Sequence, residues 1–264
     1  MTLSIIYINY NTRGLLKQSL KHLYLMRPAL DFEVIVVDNN SSDGSIEMLK
    51  ERFKGVRVLN AGENAGYAKG ANLGLREAKG NNVAIFNADI FISRGSLESI
   101  INYLDNHMDV AMVGPKLINP DKSLQYSCYK FPKLYTPILR RSFLGNTVFG
   151  KNEIKRYLMQ NYNHNEAKEV DWLLGGALVA RKKVLEEVGF FDERFFLYFE
   201  DTDLGQKLKN KGYKVIYLPS AVMHHLHRRE SADTGILKSL FNKTTRIHIV
   251  SALKYFWKHK SRNT

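Results

Sequence analysis

Four short apolar runs, each closed by a polar loop and three of them separated by helical patterns, constrain this chain to an open α/β sheet. Leu3 to Ile8, Phe32 to Val37, Val56 to Leu59 and Val83 to Phe86 read as strands buried on both faces. Between them, Thr12 to Leu25 carries Leu15, Leu16, Leu20 and Leu23 on one side of a helix, a second helix holds Ile46 and Leu49, and a third runs from Tyr67 to Ala78. Ser42 or Asp43 stands where it can cap the second helix. Ser96 to Leu104 is helical again. Alternation with short connections predicts a mostly parallel sheet covered by helices on both faces, and ligands of such sheets bind beyond the carboxyl ends of the strands. Tyr10, Asp38, Gly66 and Asp89 all fall just past such ends, so four segments converge on one crevice.

The order changes after residue 110. Val110 to Leu117 reads as a strand, whereas Asn119 to Lys168 is polar, aromatic and aperiodic, and is expected to cover the site and meet a second substrate. Val170 to Ala180 reads as a strand interrupted by Gly175-Gly176, where missing side chains permit close approach of a ligand or another backbone. Lys182 to Val188 and Thr202 to Lys211 are helical. Lys214 to Leu218 is the last strand, ahead of Pro219 and His224-His225. Residues 1–225 form one domain of two halves, 1–110 and 111–225, followed by a basic, apolar helical tail at 226–264.

With 264 residues, 44% of them hydrophobic, the chain can bury one substantial core. Cys128 is the only cysteine, which excludes an internal disulfide and a cysteine-rich metal site. The opening residues do not read as a signal peptide and no run is long enough to span a membrane, so a cytosolic protein is expected. The formal net charge of +13 is concentrated in part at the end: no acid follows Asp233, and residues 235–264 interleave Lys238, Arg246, Lys254 and Lys258 with Leu240, Leu253, Phe256 and Trp257. Such a tail suits an anionic membrane surface. Its apolar residues spread around most of the helical wheel, which equally suits helices packed on the domain. No nucleic-acid-binding module accompanies the charge, so nucleic acid is not an expected partner.

Acids placed among aromatic rings carry the chemistry. Asp192, Glu193, Glu200, Asp201 and Asp203 lie in a stretch with Phe190, Phe191, Phe195, Phe196, Tyr198 and Phe199. Buried acids are paired, metal-bound or catalytic. Glu200 has a ready use as a helix cap, which leaves Asp201 as the favoured general base and Asp203 as an anchor for the helix or for Arg194; the choice between Asp201 and Glu200 stays open. Asp38 can accept hydrogen bonds from a sugar or base, with Asn40 adding an amide. Gly66 permits a tight entry to a helix whose N–H groups, with Lys69, can approach an anion. Asp89, in Asn87-Ala-Asp89, can reach a divalent cation, with His224 as a second ligand and His225 and His227 as competitors. Tyr7-Ile-Asn-Tyr-Asn-Thr12 stands where a dinucleotide fold needs its glycine fingerprint, which disfavours hydride transfer.

In this order, Ile5-Ile-Tyr-Ile-Asn-Tyr-Asn11, Val36-Val-Asp-Asn-Asn-Ser-Ser-Asp-Gly-Ser45, Asn64-Ala-Gly-Tyr-Ala-Lys-Gly-Ala-Asn72, Asn87-Ala-Asp89, Trp172-Leu-Leu-Gly-Gly-Ala177 and the acid-aromatic stretch 189–204 resemble family 2 glycosyltransferases of GT-A fold, especially the bacterial rhamnosyltransferase-like branch. The resemblance implies a Rossmann-like sheet in which residues 1–110 bind a nucleoside diphosphate sugar through Tyr10, Asn11, Asp38, Asn40, Asn64, Gly66, Tyr67 and Lys69. It implies Mn2+ or Mg2+ at Asn87, Ala88 and Asp89 with His224, a sugar and acceptor pocket that includes Gly176, and an acceptor-activating base within Glu200-Asp201. The implied reaction is inverting transfer to a polyprenyl-linked saccharide in surface polysaccharide synthesis, at the inner face of the cell membrane, with dTDP-L-rhamnose as the first donor. A UDP-hexose or UDP-N-acetylhexosamine is the alternative donor; a nucleotidyltransferase or a non-catalytic sugar- or membrane-binding protein is more distant.

Overall fold

The structure is a computed structural model and describes residues 1–226 and 243–260. Strands β1 (Leu3–Asn9), β2 (Phe32–Asp38), β3 (Val56–Asn60) and β4 (Asn82–Asn87) alternate with helices α1 (Arg13–Met26), α2 (Ser45–Arg52) and α3 (Tyr67–Glu77). They pair in parallel in the order β3-β2-β1-β4. The short β5 (Ile90–Ile92) and helix α4 (Ser96–Asn106) lead to β6 (Val110–Ile118). The excursion that follows holds β7 (Leu124–Gln125), β8 (Cys128–Tyr129), α5 (Thr136–Leu139), a turn of 3-10 helix at Phe143–Asn146, α6 (Val148–Tyr157) and β9 (Lys168–Glu169). Then come β10 (Trp172–Leu173), β11 (Ala177–Arg181), α7 (Lys182–Glu187), α8 (Glu200–Asn210) and β12 (Lys214–His225), and finally α9 (Lys243–His259).

The main sheet runs β3-β2-β1-β4-β11-β6-β12-β5, with β11 antiparallel to β4 and to β6, and β12 parallel to β6. This is the mostly parallel, Rossmann-like GT-A architecture with a helical extension. Side-chain alternation along the strands divides the core between two faces. Leu3, Ile5 and Tyr7 pack with α1 and α4 through Leu16, Leu20, Ile100 and Leu104, while Ile6 and Ile8 pack with α3 and α8 through Ala71, Leu75, Leu204 and Leu208.

Two strands depart from the sequence reading. Residues 170–180 are not one strand: Trp172–Leu173 leaves the main sheet to pair with Cys128–Tyr129, and the chain re-enters only at Ala177. Leu173 lies over Gly114 of β6, where an added Cβ would come within 2.6 Å of its Cδ2, so the missing side chain makes room for the crossing. The last strand does not stop at Leu218. Pro219 has no N–H to give the ladder, and a bulge between Leu218 and Val222 carries the strand past it to pair Met223 and His224 with Leu117 and Ile118. The same extension pairs with β5, which is too short to show a pattern in sequence.

Only part of the tail lies among the described residues; positions 227–242 and 261–264, including His227, lie outside them. The described part, α9, packs on the acid-aromatic stretch. Ser251, Ala252, Tyr255 and His259 face inward at helical spacing, with Ala252 and Tyr255 against Phe195 and Phe199. Arg246, Ile249, Val250, Leu253, Lys254 and Trp257 form the exposed face. The apolar residues circle the wheel because one group is core and another is surface. No helix among the described residues is long and apolar enough to cross a membrane.

Polar contacts fix α9 in place. Lys258 Nζ lies 2.7 Å from both Asp192 Oδ2 and Asp203 Oδ1, and His259 Nε2 lies 2.8 Å from Asp203 Oδ1. Asp203 therefore anchors α9, not Arg194, whose guanidinium folds back onto Asp192. Burial would raise the Asp192 carboxyl, but hydrogen bonds from Arg194 and Lys258 outweigh it and hold the group well below the usual carboxylate range. Lys258→Met strips a partner from a fully buried carboxylate and is expected to cost about 3 kcal/mol in a urea melt, the low end for a broken buried pair because His259 remains. A midpoint equal to that of the parent would show that α9 does not depend on this contact.

Candidate active site

The ends of β1 and β2 are in register, with Asn9 opposite Asp38. Both side chains are buried; Asn9 Nδ2 donates to Asp38 Oδ2 at 2.6 Å, and the Ser41 N–H donates to Asp38 Oδ1 at 2.7 Å. Asp38 is thus a fixed carboxylate, not a loose turn residue. The flanking loops turn through left-handed backbone at Asn11 and Asn40, with φ of 52° and 65°. Asn11 Oδ1 accepts from the Ser42 N–H at 2.8 Å, which ties the two loops together and leaves the Tyr10 ring exposed.

Asn64 Oδ1 accepts from the Gly66 N–H at 3.3 Å, and Gly66 opens α3 at a φ of 88°. A side chain at Gly66 would collide with the carbonyl of Phe196, and the next N–H, of Tyr67, donates to that carbonyl at 2.8 Å. The glycine-rich loop is therefore in direct contact with the acid-aromatic stretch. Lys69 is exposed on α3, and its charge acts on Glu193.

Strand β4 ends at Asn87, followed by buried Ala88 and partly buried Asp89. Asp89 Oδ1 lies 3.2 Å from His225 Nε2, and His225 Nδ1 lies 3.0 Å from Gln125 Oε1. The His225 ring thus links Gln125 to Asp89. Asp89 and His225 offer a carboxylate oxygen and an imidazole nitrogen of the kind that would help to hold a divalent ion. Among the described residues no group of three or more His, Cys, Asp and Glu side chains could hold a metal. His224 is not beside Asp89. Alternation along β12 places Met223 and His225 on the inner face and leaves His224 exposed.

Gly175-Gly176 joins this corner to the acids of α8. The Asn87 N–H donates to the Gly176 carbonyl at 2.9 Å, the Gly175 N–H donates to Asp201 Oδ2 at 3.0 Å, and the Tyr67 hydroxyl donates to the Gly175 carbonyl. Asp201 Oδ1 accepts from the Thr202 N–H at 2.7 Å. Glu200 does not cap the helix. It is the first helical residue, the capping position is Phe199 in left-handed backbone, and no side chain makes the cap bond. Glu200 Oε2 is instead buried with no hydrogen-bond partner among the described residues. Burial, with the charge of Asp201 added, raises the Glu200 pKa well above the carboxylate range. Burial also pushes Asp201 up, to about 6, and the N–H groups of Gly175 and Thr202 hold it from going higher. The hydrogen bonds to Asp201, and the lack of one at Glu200 Oε2, favour the charge of the pair on Asp201.

Asn9 and Gln125 are contributors that the sequence reading passed over. Asn9 was hidden at the end of an apolar strand, and Gln125 lay in the aperiodic excursion. His225 was legible only as a competitor, because the choice depends on strand alternation continuing past Pro219.

Residues 4–189 match the profile of the family described as Glycosyl transferase family 2, and residues 140–258 match Glycosyl transferase family group 2. Among curated proteins, the chain is 28% identical to an N-acetylglucosaminyl-diphospho-decaprenol L-rhamnosyltransferase of Mycobacterium tuberculosis, over 97% of this chain and 86% of the relative. Two solved structures share the fold. GalNAc-T7, solved with UDP, GalNAc and Mn2+, superposes with a TM-score of 0.64 at 14% identity over 87% of this chain, which spans only 44% of that one. The mannosyltransferase PcManGT from Pyrobaculum calidifontis, in complex with GDP-Man and Mn2+, gives 0.63 at 21% identity over 100% of this chain and 65% of its own.

The position of the histidines makes a direct prediction. In Mn2+ titrations with UDP present, His225→Ala is expected to weaken metal binding by at least the roughly 10-fold that loss of an outer-shell partner produces, and His224→Ala to leave it unchanged. The reverse pattern would return the ligand role to His224.

Proposed function

This chain belongs to glycosyl transferase family 2, and we propose that it moves a sugar, with inversion at the anomeric carbon, from a nucleoside diphosphate sugar to a hydroxyl of a saccharide acceptor. The observation that carries this reading is the Asp201 carboxylate, buried and held by the N–H groups of Gly175 and Thr202, one glycine from the backbone that contacts Asn87. That arrangement supports a base on the acceptor side of a donor site bounded by Asp38 and Asp89.

In the proposed reaction the acceptor hydroxyl gives its proton to Asp201 while its oxygen bonds to the anomeric carbon. The bond from that carbon to the diphosphate oxygen breaks, and the electron pair leaves with the nucleoside diphosphate. Asp38, fixed by Asn9, binds the nucleoside end with Tyr10, Asn11 and Asn40 around it. Asn64, Gly66 and Tyr67 shape the adjoining wall, and Gly176 keeps the sugar pocket open beside Asn87. A divalent cation, Mn2+ or Mg2+, would be held by Asp89 and His225 and would supply positive charge to the diphosphate. Glu200, neutral beside Asp201, keeps a second negative charge out of the pocket.

The donor is open to a wider range than L-rhamnose. The relatives' names divide between a rhamnosyltransferase, a protein crystallised with UDP and GalNAc and another with GDP-Man. That spread supports a UDP-hexose or UDP-N-acetylhexosamine donor beside dTDP-L-rhamnose. The acceptor we favour is a saccharide on a polyprenyl carrier, which places the reaction at a membrane surface.

A panel of dTDP-L-rhamnose, UDP-hexoses and UDP-N-acetylhexosamines, with a lipid-linked saccharide as acceptor and release of nucleoside diphosphate as readout, is expected to show acceptor-dependent turnover with one donor class. Release without an acceptor requirement across the panel would contradict transfer. With the productive donor, Asp201→Asn is expected to lower turnover by about 100-fold or more while donor affinity holds, the scale of a lost general base. Glu200→Gln, which mimics the neutral acid, is expected to keep most of it. Equal losses in the two variants would remove the distinction between the acids.

A further inference from the structure

Ten of the sixteen exposed large apolar side chains among the described residues fall in two short segments, 134–149 and 249–257. Among them are Phe143 at 71%, Val148 at 78%, Leu253 at 64% and Trp257 at 76%. In the first segment they stand on the 3-10 turn and the start of α6; in the second they form the outer side of α9. Clusters of this kind on the surface of a folded domain mark an interaction site.

The segments are far apart in sequence, and charges carried by the first reach the helix that bears the second. The His248 ring of α9 lies tilted against Tyr198 at 5.0 Å between centroids, and burial together with the charges of Arg141 and Arg140 pushes its pKa down to about 3. Within both segments the charged residues have one sign. No acid occurs between Lys130 and Asn152, a stretch that carries Lys133, Arg140, Arg141 and Lys151, and none occurs between Lys243 and Lys260. Phe196, itself partly exposed, lies on the same acid-aromatic stretch that α9 covers, and its backbone meets Gly66 and Tyr67 at the site.

We propose that these two segments form one composite docking surface for an anionic lipid bilayer. Phe143, Val148, Leu253 and Trp257 enter the interface between headgroups and acyl chains, and the surrounding arginines and lysines meet lipid phosphates. The sequence pointed only to the tail; the excursion between β8 and β9 is the second half of the surface. Docked this way, the domain presents the side that bears Phe196 and α8 toward the membrane. This purpose rests on the lipid-linked acceptor proposed above, but vesicle binding needs neither donor nor acceptor and is measured without them.

The test is flotation of the full chain with vesicles of phosphatidylcholine alone and of phosphatidylcholine with phosphatidylglycerol. The parent is expected to float with the anionic vesicles. The double variants F143S/V148S and L253S/W257S, all at exposed positions, are each expected to lower partitioning by about 10-fold. Loss in the α9 variant alone would overturn the composite surface, and so would a parent that does not float. A parent that dimerises in light scattering, with both variants monomeric and vesicle binding unchanged, would assign the face to a second copy of the chain and overturn the proposal. Circular dichroism of the variants separates these outcomes from misfolding, and a glycosyl-transfer assay that fails while flotation succeeds would count against the reaction and not against the surface.

Discussion

The hydrogen bond from the Gly175 N–H to the buried Asp201 carboxylate is the contact on which the site depends. It holds an anion at the start of α8, where the free N–H groups and the helix dipole favour negative charge. It also requires a chain without side chains. A Cβ at Gly175 would come within 3.3 Å of the Asp201 Cβ, and one at Gly176 within 2.9 Å of the Asn87 Nδ2. The two glycines let one turn touch the donor-side loop through its carbonyl and the acceptor-side acid through its N–H.

Topology explains why that turn is available. The parallel strands deliver Asp38 and Asn87 to the same edge of the sheet, as parallel strands must. Strand β11 runs the other way between β4 and β6, so its beginning, not its end, reaches that edge, with Ala177 opposite Phe86. The glycines just before it are therefore beside Asn87. Had β11 been parallel, they would have lain at the opposite end of the sheet. The departure of Trp172–Leu173 to pair with β8 belongs to the same arrangement, because it brings the chain across Gly114 before it enters the sheet.

Much of this frame was legible in the sequence. The first four strands and three helices follow hydrophobic periodicity to within a few residues, since buried parallel strands are nearly all apolar. The aromatic acid stretch also announced itself. What could not be read was set by contacts between distant segments. Glu200 reads as a cap by position, yet Phe199 adopts the left-handed capping conformation and the glutamate is turned into the protein. His224 and His225 are equivalent in sequence until a bulge at Pro219 fixes the phase of the strand. The tail reads as uniformly apolar around its circumference because two different environments, a packed face and an exposed one, use opposite sides of one helix.

Proton transfer at this site requires Asp201 to be the titrating acid and Glu200 to remain neutral. The pH dependence of kcat/KM tests this most directly. Acid protonates Asp201 and removes the proton acceptor, so activity is expected to fall as pH drops through about 6, where burial has moved the carboxyl, and to reach a plateau above it. The same inflection is expected in Glu200→Gln, because that variant only fixes the neutral state. A profile flat through this range, or an inflection that disappears in Glu200→Gln, would contradict the assignment.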